Sequence, residues 1–297
     1  MAEIEIILLL LVAVAALAPL ARAVRVPYPI LLVLGGLLLA LLPFTPGIQL
    51  TPDLVLLLFL PPLVYSAAFN TSIRDFRQSL RPILSLAVGL VLATTAAVAV
   101  LLHAVFPDLG WPLAFAFGAI VSPPDAVAAA AVFRGLGVPR RVVTLLEGES
   151  LINDATALVI YRTALVATAV AFSPGETAGR FAIVAVGGVL VGLVVARLMA
   201  WLERRLNDPP VEITLSLLTP YAAYLPAESL GVSGVLAAVT AGLYLGWRAP
   251  HIWGFEARLR GRAVWDMVNF TLNGLVFILI GLQLSTILPT LAGRSIV

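Results

Sequence analysis

Hydrophobic residues fall in ten long runs along the chain, each ended by proline, glycine or charged residues. Most runs are near the length of about 20 residues that an α-helix needs to cross the hydrocarbon core of a bilayer. The second and eighth runs are short, so hydropathy alone leaves them ambiguous. The pattern predicts an all-α polytopic membrane protein with spans near residues 4–20, 28–42, 53–68, 82–105, 111–133, 142–171, 178–202, 211–224, 231–247 and 263–284.

The positive charges support all ten spans. Every Lys or Arg position is arginine, and these arginines cluster after the odd-numbered runs. The connections after the even-numbered runs hold only Arg180 and Arg294. By the positive-inside rule, this alternation predicts an N-terminus outside the cell and arginine-bearing loops in the cytoplasm. Removing either short run would put the arginine clusters on both sides of the membrane.

Composition narrows the class of protein further. Of the 297 residues, 61% are apolar and 11% are charged, a balance typical of a membrane protein without an additional soluble domain. We therefore predict one transmembrane domain over residues 1–297. The absence of cysteine excludes disulfides and thiolate metal sites. The formal charge of +2 is explained by the loop arginines, so we expect lipid rather than nucleic acid as the partner, and no cofactor.

The fifth run contains a candidate break in its helix. Pro123 and Pro124 precede Asp125 near the middle of the run. Because proline has no N–H group, the carbonyls of Ala119 and Ile120 lose their helical donors, and the helix is expected to open there. Freed carbonyls beside a carboxylate are typical of a cation site in transporters with broken helices. The alternative is a simple proline kink.

The sixth run concentrates polar residues within three turns. At 3.6 residues per turn, Glu147, Ser150 and Asp154 share one helix face. Glu149 and Asn153 lie on another face. Asp154 is expected near mid-depth, whereas Glu147 is expected close to the cytoplasmic interface and solvated. The alternative interpretation is a structural polar network between helices.

Ionisable groups inside a membrane span indicate function. A carboxylate removed from water has a raised pKa, and a bound cation lowers that pKa again, so proton and cation compete for one group. Asp154 is our candidate for this group, with the hydroxyl oxygen of Ser150 as a ligand. Asn153 could ligate the ion or orient Glu149. Arg162, two turns beyond Asp154, is expected to snorkel outward or to pair with a group on another helix.

At these residues the chain resembles the sodium/proton exchangers of the monovalent cation:proton antiporter family. The most specific match is the string Glu-Gly-Glu-Ser-Leu-Ile-Asn-Asp in the sixth run, and weaker matches follow the same order along the whole chain. The matching segments are residues 60–65, 122–125, 147–154, 220–224, 231–237 and 273–283.

The resemblance implies an inverted-repeat bundle of about thirteen helices with a broken fifth helix, which works as a homodimer in the cell (inner) membrane. It implies exchange of Na⁺ or another monovalent cation for protons, with Asp154 binding the cation and the proton alternately. Ser150 and a backbone oxygen of the fifth helix would complete the Na⁺ site, together with Asp125. An asparagine at 153 beside Asp154 marks the branch regarded as electroneutral. Glu149 would pair with an arginine of a later helix, held by Asn153.

The chain departs from the family pattern at three places. Pro124-Asp125-Ala126 replaces the usual threonine-aspartate-proline, so a threonine ligand is missing. Ser66 stands where many relatives carry an acid that completes the site, and we therefore expect coordination to depend more on water. The sequence also stops soon after the tenth run, which suggests a C-terminally truncated chain without the later helices.

Four alternatives stay open at this point. A potassium/proton antiporter would share the same fold, and a passive channel could use the same carboxylates. A truncated chain could be a non-functional fragment. An intramembrane aspartyl protease would need Asp125 and Asp154 to face each other, whereas a serine protease would need a histidine deep in the bundle, which the sequence does not suggest.

Overall fold

The computed structural model describes residues 2–41, 52–124, 138–168, 174–206 and 208–292. Within these ranges the regular structure is helical throughout and contains no strand, so the predicted all-α fold is confirmed. Each of the ten predicted spans contains a helix. The described ranges also hold short additional helices, so ten is an approximate count. The helices are α1 (Ala2–Val24), α2 (Tyr28–Ala40), α3 (Pro52–Asn70), α4 (Ile73–Gln78), α5 (Leu80–Leu84), α6 (Val91–Val105), α7 (Trp111–Val121), α8 (Arg140–Ala167), α9 (Pro174–Glu203), α10 (Pro209–Ser229), α11 (Gly234–Ile252) and α12 (Phe255–Ala292).

Four segments of the described chain are long and apolar enough to cross a membrane by length and composition. They are Ile7–Val24, Leu80–Val105, Gly179–Glu203 and Phe255–Leu284. Three shorter helical segments, in α2, α3 and α7, are also apolar. The helix α8 is the least apolar of the long helices, and it contains the candidate ion-binding carboxylate.

Several helix boundaries differ from the predicted spans. The helix α12 begins at Phe255, eight residues before the predicted start, because its charged first turns are also helical and include an ion pair of 2.6 Å between Glu256 and Arg260. The fourth span is interrupted by a π-helical segment, Ser85–Leu90, between α5 and α6. Hydropathy detects apolar length and cannot detect either feature.

The described residues form two compact units. One contains residues up to Phe59 and from Ala263 onward. In this unit the glycines of α2 and α12 allow close helix packing: an added Cβ at Gly274 would lie 2.5 Å from Val14 Cγ1, and Gly36 faces the backbone of Ile278. The ring of Tyr28 lies edge-on to that of Phe277, with centroids 6.4 Å apart.

The second unit contains most of the chain between Leu60 and Arg262 and holds every candidate site residue that the structure describes. Here α9, α10 and α11 pack against one another, and α7 packs between α6 and α8. The helix α11 also contacts α3, since an added Cβ at Gly242 would lie 2.5 Å from the carbonyl oxygen of Tyr65. The single domain predicted over residues 1–297 stays a prediction.

Candidate functional site

The helix α8 is held by apolar contacts on one side. It begins at Arg140, directly after Pro139, whose fixed φ suits the residue before a helix. Leu151 and Ala155 are buried in a hydrophobic cluster with residues of α3, α10 and α11. This packing fixes the rotation of α8 about its axis, and therefore determines which way its polar residues point. The other members of the cluster are Val64, Ala68, Tyr224, Val235, Ala238 and Val239.

The two polar faces of α8 differ in their exposure. Glu147 is exposed, and Ser150 and Asp154, on the same face, are half-buried. Glu149 is 6% exposed and Asn153 is 0% exposed. The exposure of Glu147 is consistent with the expected position near the interface. The face with Ser150 and Asp154 is partly open, whereas the face with Glu149 and Asn153 is closed by the protein.

Asn153 is an unusual buried residue. Neither its side-chain nitrogen nor its side-chain oxygen has a hydrogen-bond partner among the described residues. A buried polar group without a partner costs about 1–3 kcal/mol, so such groups call for an explanation in terms of function or of a missing partner. The resemblance implied that Asn153 holds Glu149, and no such hydrogen bond is present in the described part of the chain. No arginine of the described residues pairs with Glu149 either.

The fifth helix ends where the two prolines predict. The helix α7 stops at Val121, and residues 122–124 are not helical. One detail of the expectation was wrong, because the carbonyl of Ala119 is not left open. The hydroxyl of Ser122 donates a hydrogen bond of 3.3 Å to it and replaces the N–H that Pro123 lacks. Among described residues, no donor reaches the carbonyl of Ile120.

The sequence analysis missed a residue that supports this break. Thr95, in α6, is buried and donates a hydrogen bond of 3.2 Å to the hydroxyl oxygen of Ser122. The two helices can approach this closely because Gly118 has no side chain: an added Cβ would lie 2.5 Å from the carbonyl oxygen of Thr95. The available signal was the pair Thr94-Thr95 in an apolar run. The sequence does not show that Thr95 contacts Ser122, 27 positions further along the chain.

Of the two remaining predicted ion-binding residues, the structure describes Ser66 but not Asp125. Asp125 lies outside the described residues, so its predicted place beside Asp154 stays a prediction. Ser66, in α3, is buried, and Asn70 donates hydrogen bonds to its carbonyl at 2.9 Å and to its hydroxyl at 3.4 Å. Its hydroxyl is therefore fixed by its own helix.

Arg162 pairs with a group on another helix, which was one of its two expected roles. Its Nη1 atom lies 2.6 Å from Oε2 of Glu228, near the end of α10. The other oxygen of Glu228 accepts a hydrogen bond of 3.1 Å from the backbone N–H of Gly234, the first residue of α11. Glu228 is therefore held by two partners. This carboxylate connects α8 to the N-terminus of α11, where a negative charge is favourable.

We expect this ion pair to contribute modestly to stability. The side chains of Arg162 and Glu228 are 44% and 26% exposed, so solvent screens their attraction. A double-mutant cycle with Arg162→Gln and Glu228→Gln should give a coupling energy of about 0.2–1 kcal/mol, measured by thermal unfolding in detergent. The pair Glu256 and Arg260, within α12, is the matched control for an exposed ion pair. A coupling of zero would show that the pair has no structural role.

Two of the predicted ligand residues lie together on one helix face. Within the described ranges, no group of three or more His, Cys, Asp or Glu residues is placed to hold a metal ion. What the structure offers is Asp154 and Ser150, one turn apart on a half-buried face of α8. The helix that ends at Val121 packs against α8.

Comparison with known proteins identifies the family of this chain. Residues 9–295 match the model of a family described as sodium/hydrogen exchanger, transmembrane. The chain belongs to the sodium/hydrogen exchanger family. A Na⁺/H⁺ exchanger of Mycobacterium tuberculosis, described as uncharacterised, is 40% identical over 292 residues, which are 98% of this chain and 53% of that protein. A sodium, potassium, lithium and rubidium/H⁺ antiporter of Bacillus pumilus is 38% identical over 268 residues, 87% of this chain and 40% of that protein.

A solved structure shares the fold of this exchanger-family chain. The sodium proton antiporter MjNhaP1 of Methanocaldococcus jannaschii superposes with a TM-score of 0.72 at 22% identity, over 94% of this chain and 69% of that one. At this identity the likeness concerns the fold alone. The chain spans about half the length of the curated relatives that it matches.

Proposed function

We propose that this chain contains the ion-binding region of a secondary antiporter that exchanges a monovalent cation for protons across the cell membrane. The observation that carries the proposal is the position of Asp154 and Ser150 on the half-buried face of α8. Family membership and the names of the relatives are consistent with it.

In the proposed mechanism, Asp154 binds the cation and the proton alternately. A carboxylate in a site of low dielectric constant is costly when it is charged and alone, so one positive charge is always favoured there. The Ser150 hydroxyl would supply one oxygen ligand, and the break after Val121 would supply backbone oxygens. Asp125 and Ser66 would complete the site with water. Because one carboxylate cannot hold both ions, binding of one releases the other, and this competition produces exchange.

The role of Asn153 follows from its burial. Its unpartnered amide lies one position before Asp154 and is closed off from solvent. We propose that it orients an ion ligand, or orients Glu149 once Glu149 has the arginine partner that the family resemblance implies. We also propose that Pro123 and Pro124 keep the fifth helix open. An asparagine carries no charge, so Asp154 is the only carboxylate of this pair, which favours an electroneutral exchange of one proton for one cation.

We propose Na⁺ as the cation, with a potassium/proton antiporter as the alternative. The Bacillus pumilus relative is named for four alkali cations, so the relatives do not share a single stated selectivity. The test is proton movement in proteoliposomes that contain the full-length protein, driven by gradients of Na⁺, K⁺ or Li⁺. No proton movement with any of the three ions would contradict the proposal. Currents that follow the membrane potential would contradict electroneutral exchange and favour a channel.

The remaining proposals concern assembly and orientation. We propose a homodimer in the cell membrane, with the N-terminus outside and the arginine-bearing loops in the cytoplasm. The single transmembrane domain over residues 1–297 would need no cofactor for exchange, since the cation and the proton are its substrates. Labelling of single cysteines introduced into exposed loops would test the orientation, because the chain has no cysteine of its own.

A ligand role for Ser150 predicts a change in the apparent affinity for Na⁺. Ser150→Ala removes one oxygen ligand worth about 0.5–1.5 kcal/mol, so we expect an increase of about 2- to 10-fold in the KM for Na⁺. Thr163→Val is the control, because it removes a hydroxyl that is bonded to the Val159 carbonyl of the same helix at 2.7 Å. Equal effects of the two substitutions would indicate a change in helix stability rather than in ion binding.

A further inference from the structure

A second pair of carboxylates is buried in the unit that contains the site, and the proposed mechanism does not use it. Glu203 is the last residue of α9 and is 2% exposed. Glu212 lies in the first turn of α10 and is 4% exposed. The short connection between these two helices brings both side chains into the protein. Carboxylates are almost never fully buried unless they are paired, so this burial requires an explanation.

Neither carboxylate is fully satisfied. The indole N–H of Trp253 donates a hydrogen bond of 3.0 Å to Oε2 of Glu203. The other oxygen of Glu203 and Oε2 of Glu212 have no hydrogen-bond partner among the described residues. The described arginines form no ion pair with either group. The nearby Arg205 instead lies over the ring of Trp201, with its guanidinium carbon 4.1 Å from the ring centroid.

Within the described ranges, the charged groups that act electrostatically on these two carboxylates are themselves acidic. Glu212 acts electrostatically on Glu203, and Asp208 acts on Glu212. From α3, the fully buried Tyr65 is the titratable group coupled to Glu203. The Phe69 ring lies 5.5 Å from that of Trp253. Glu203 is also at the C-terminal end of a helix, where the helix dipole disfavours a negative charge.

Two like charges in such surroundings are too costly to stand without a counter-charge. We propose that Glu203 and Glu212 form a second cation site, separate from Asp154, that takes up one positive charge, either a proton or an alkali ion. The open oxygens of the two carboxylates, one on each residue, are its ligands. A group of only two carboxylates fits a single charge better than a divalent metal, which prefers more oxygen ligands. This site goes beyond the proposed function, because a cation can bind there whether or not the protein transports ions.

Trp253 is a reporter for this site, since its indole donates to Glu203. We would record tryptophan fluorescence of the purified full-length protein in detergent, first against pH in choline buffer and then against Na⁺ at fixed pH. We expect a saturable change with one or both ions. A change with pH alone assigns the proton as the occupant, and a competing change with Na⁺ assigns an alkali ion.

Three variants make the experiment decisive. Glu203→Gln keeps an acceptor for the Trp253 indole but removes the charge, so the change should be lost. Trp253→Phe should also remove it. Glu212→Gln removes only the second negative charge, so the pH midpoint should move to a lower value. A wild-type protein that shows no change with either ion, or a change that persists in Glu203→Gln, would overturn the proposal.

The substitution Asp154→Asn separates this proposal from the proposed antiport. A second site predicts that Asp154→Asn leaves the Trp253 titration as it is in the wild type. If transport cannot be measured at all but the titration is present, the second site stands and the antiport proposal fails. If the titration disappears in Asp154→Asn, the signal reports on the first site, and the second site is refuted.

Discussion

Replacement of Asp154 by asparagine is expected to reduce cation-driven proton movement to the level of liposomes without protein. Asparagine has nearly the same shape and keeps an oxygen ligand, but it has no group that can release and take up a proton. The competition between proton and cation therefore ends. Because α8 is positioned by Leu151 and Ala155, on a different side of the helix, the substitution should leave the fold intact.

The measurement is Na⁺-dependent collapse of a pH gradient in proteoliposomes of the full-length protein, recorded with a pH-sensitive dye. The matched control is Glu147→Gln, which removes a carboxylate from the same face of the same helix, two turns earlier. Glu147 is exposed, so we expect its loss to leave the exchange rate close to that of the wild type. Equal rates in Asp154→Asn and the wild type would refute the assignment of Asp154 as the exchanging group.

Alanine at position 118 is expected to destabilise the protein. An added Cβ would lie 2.5 Å from the carbonyl oxygen and 3.1 Å from the Cα atom of Thr95. Both are backbone atoms, so the contact cannot be relieved by a side-chain rotation, and α6 and α7 must move apart. Overpacking of this kind costs about 1–3 kcal/mol. The separation would also weaken the hydrogen bond from Thr95 to Ser122, which supports the end of the broken helix.

The control for Gly118→Ala is the same substitution at Gly179. Gly179 lies in α9, and an added Cβ there meets no atom within 4 Å. Alanine is a better helix former than glycine by up to about 1 kcal/mol, so this variant should be equally or more stable than the wild type. Thermal unfolding in detergent should therefore shift in opposite directions for the two variants. A stability for Gly118→Ala at or above that of the wild type would show that α6 and α7 can separate at no cost.

The helical fold was predictable because a bilayer allows few solutions. Backbone N–H and C=O groups cannot be left open in hydrocarbon, so each long apolar run must be a helix. The end of α7 was predictable for a similarly local reason, since proline has no N–H group. The π-helical segment Ser85–Leu90 and the charged first turns of α12 were not predictable from hydropathy. They depend on local hydrogen bonds and ion pairs that leave no apolar signal.

The candidate site likewise contains residues whose arrangement was predictable from sequence and contacts that were not. Glu147, Ser150 and Asp154 lie on one helix, so their shared face follows from spacing alone. The contact of Thr95 with Ser122, the pair of Arg162 with Glu228, and the burial of Glu203 each join residues that are far apart in the chain. No spacing rule relates such residues, because their contacts arise from the packing of different helices.

The order of residues alone was therefore enough to predict a helical membrane protein, the end of α7 before Pro123 and a candidate carboxylate, because these depend on solvent, on backbone chemistry and on helical periodicity. Tertiary packing alone decided which polar groups are exposed. It closed Asn153 from solvent, left Asp154 half-buried, and enclosed Glu203 with Trp253. The reason is that burial is a property of the neighbours a side chain acquires on folding, and those neighbours come from distant parts of the chain.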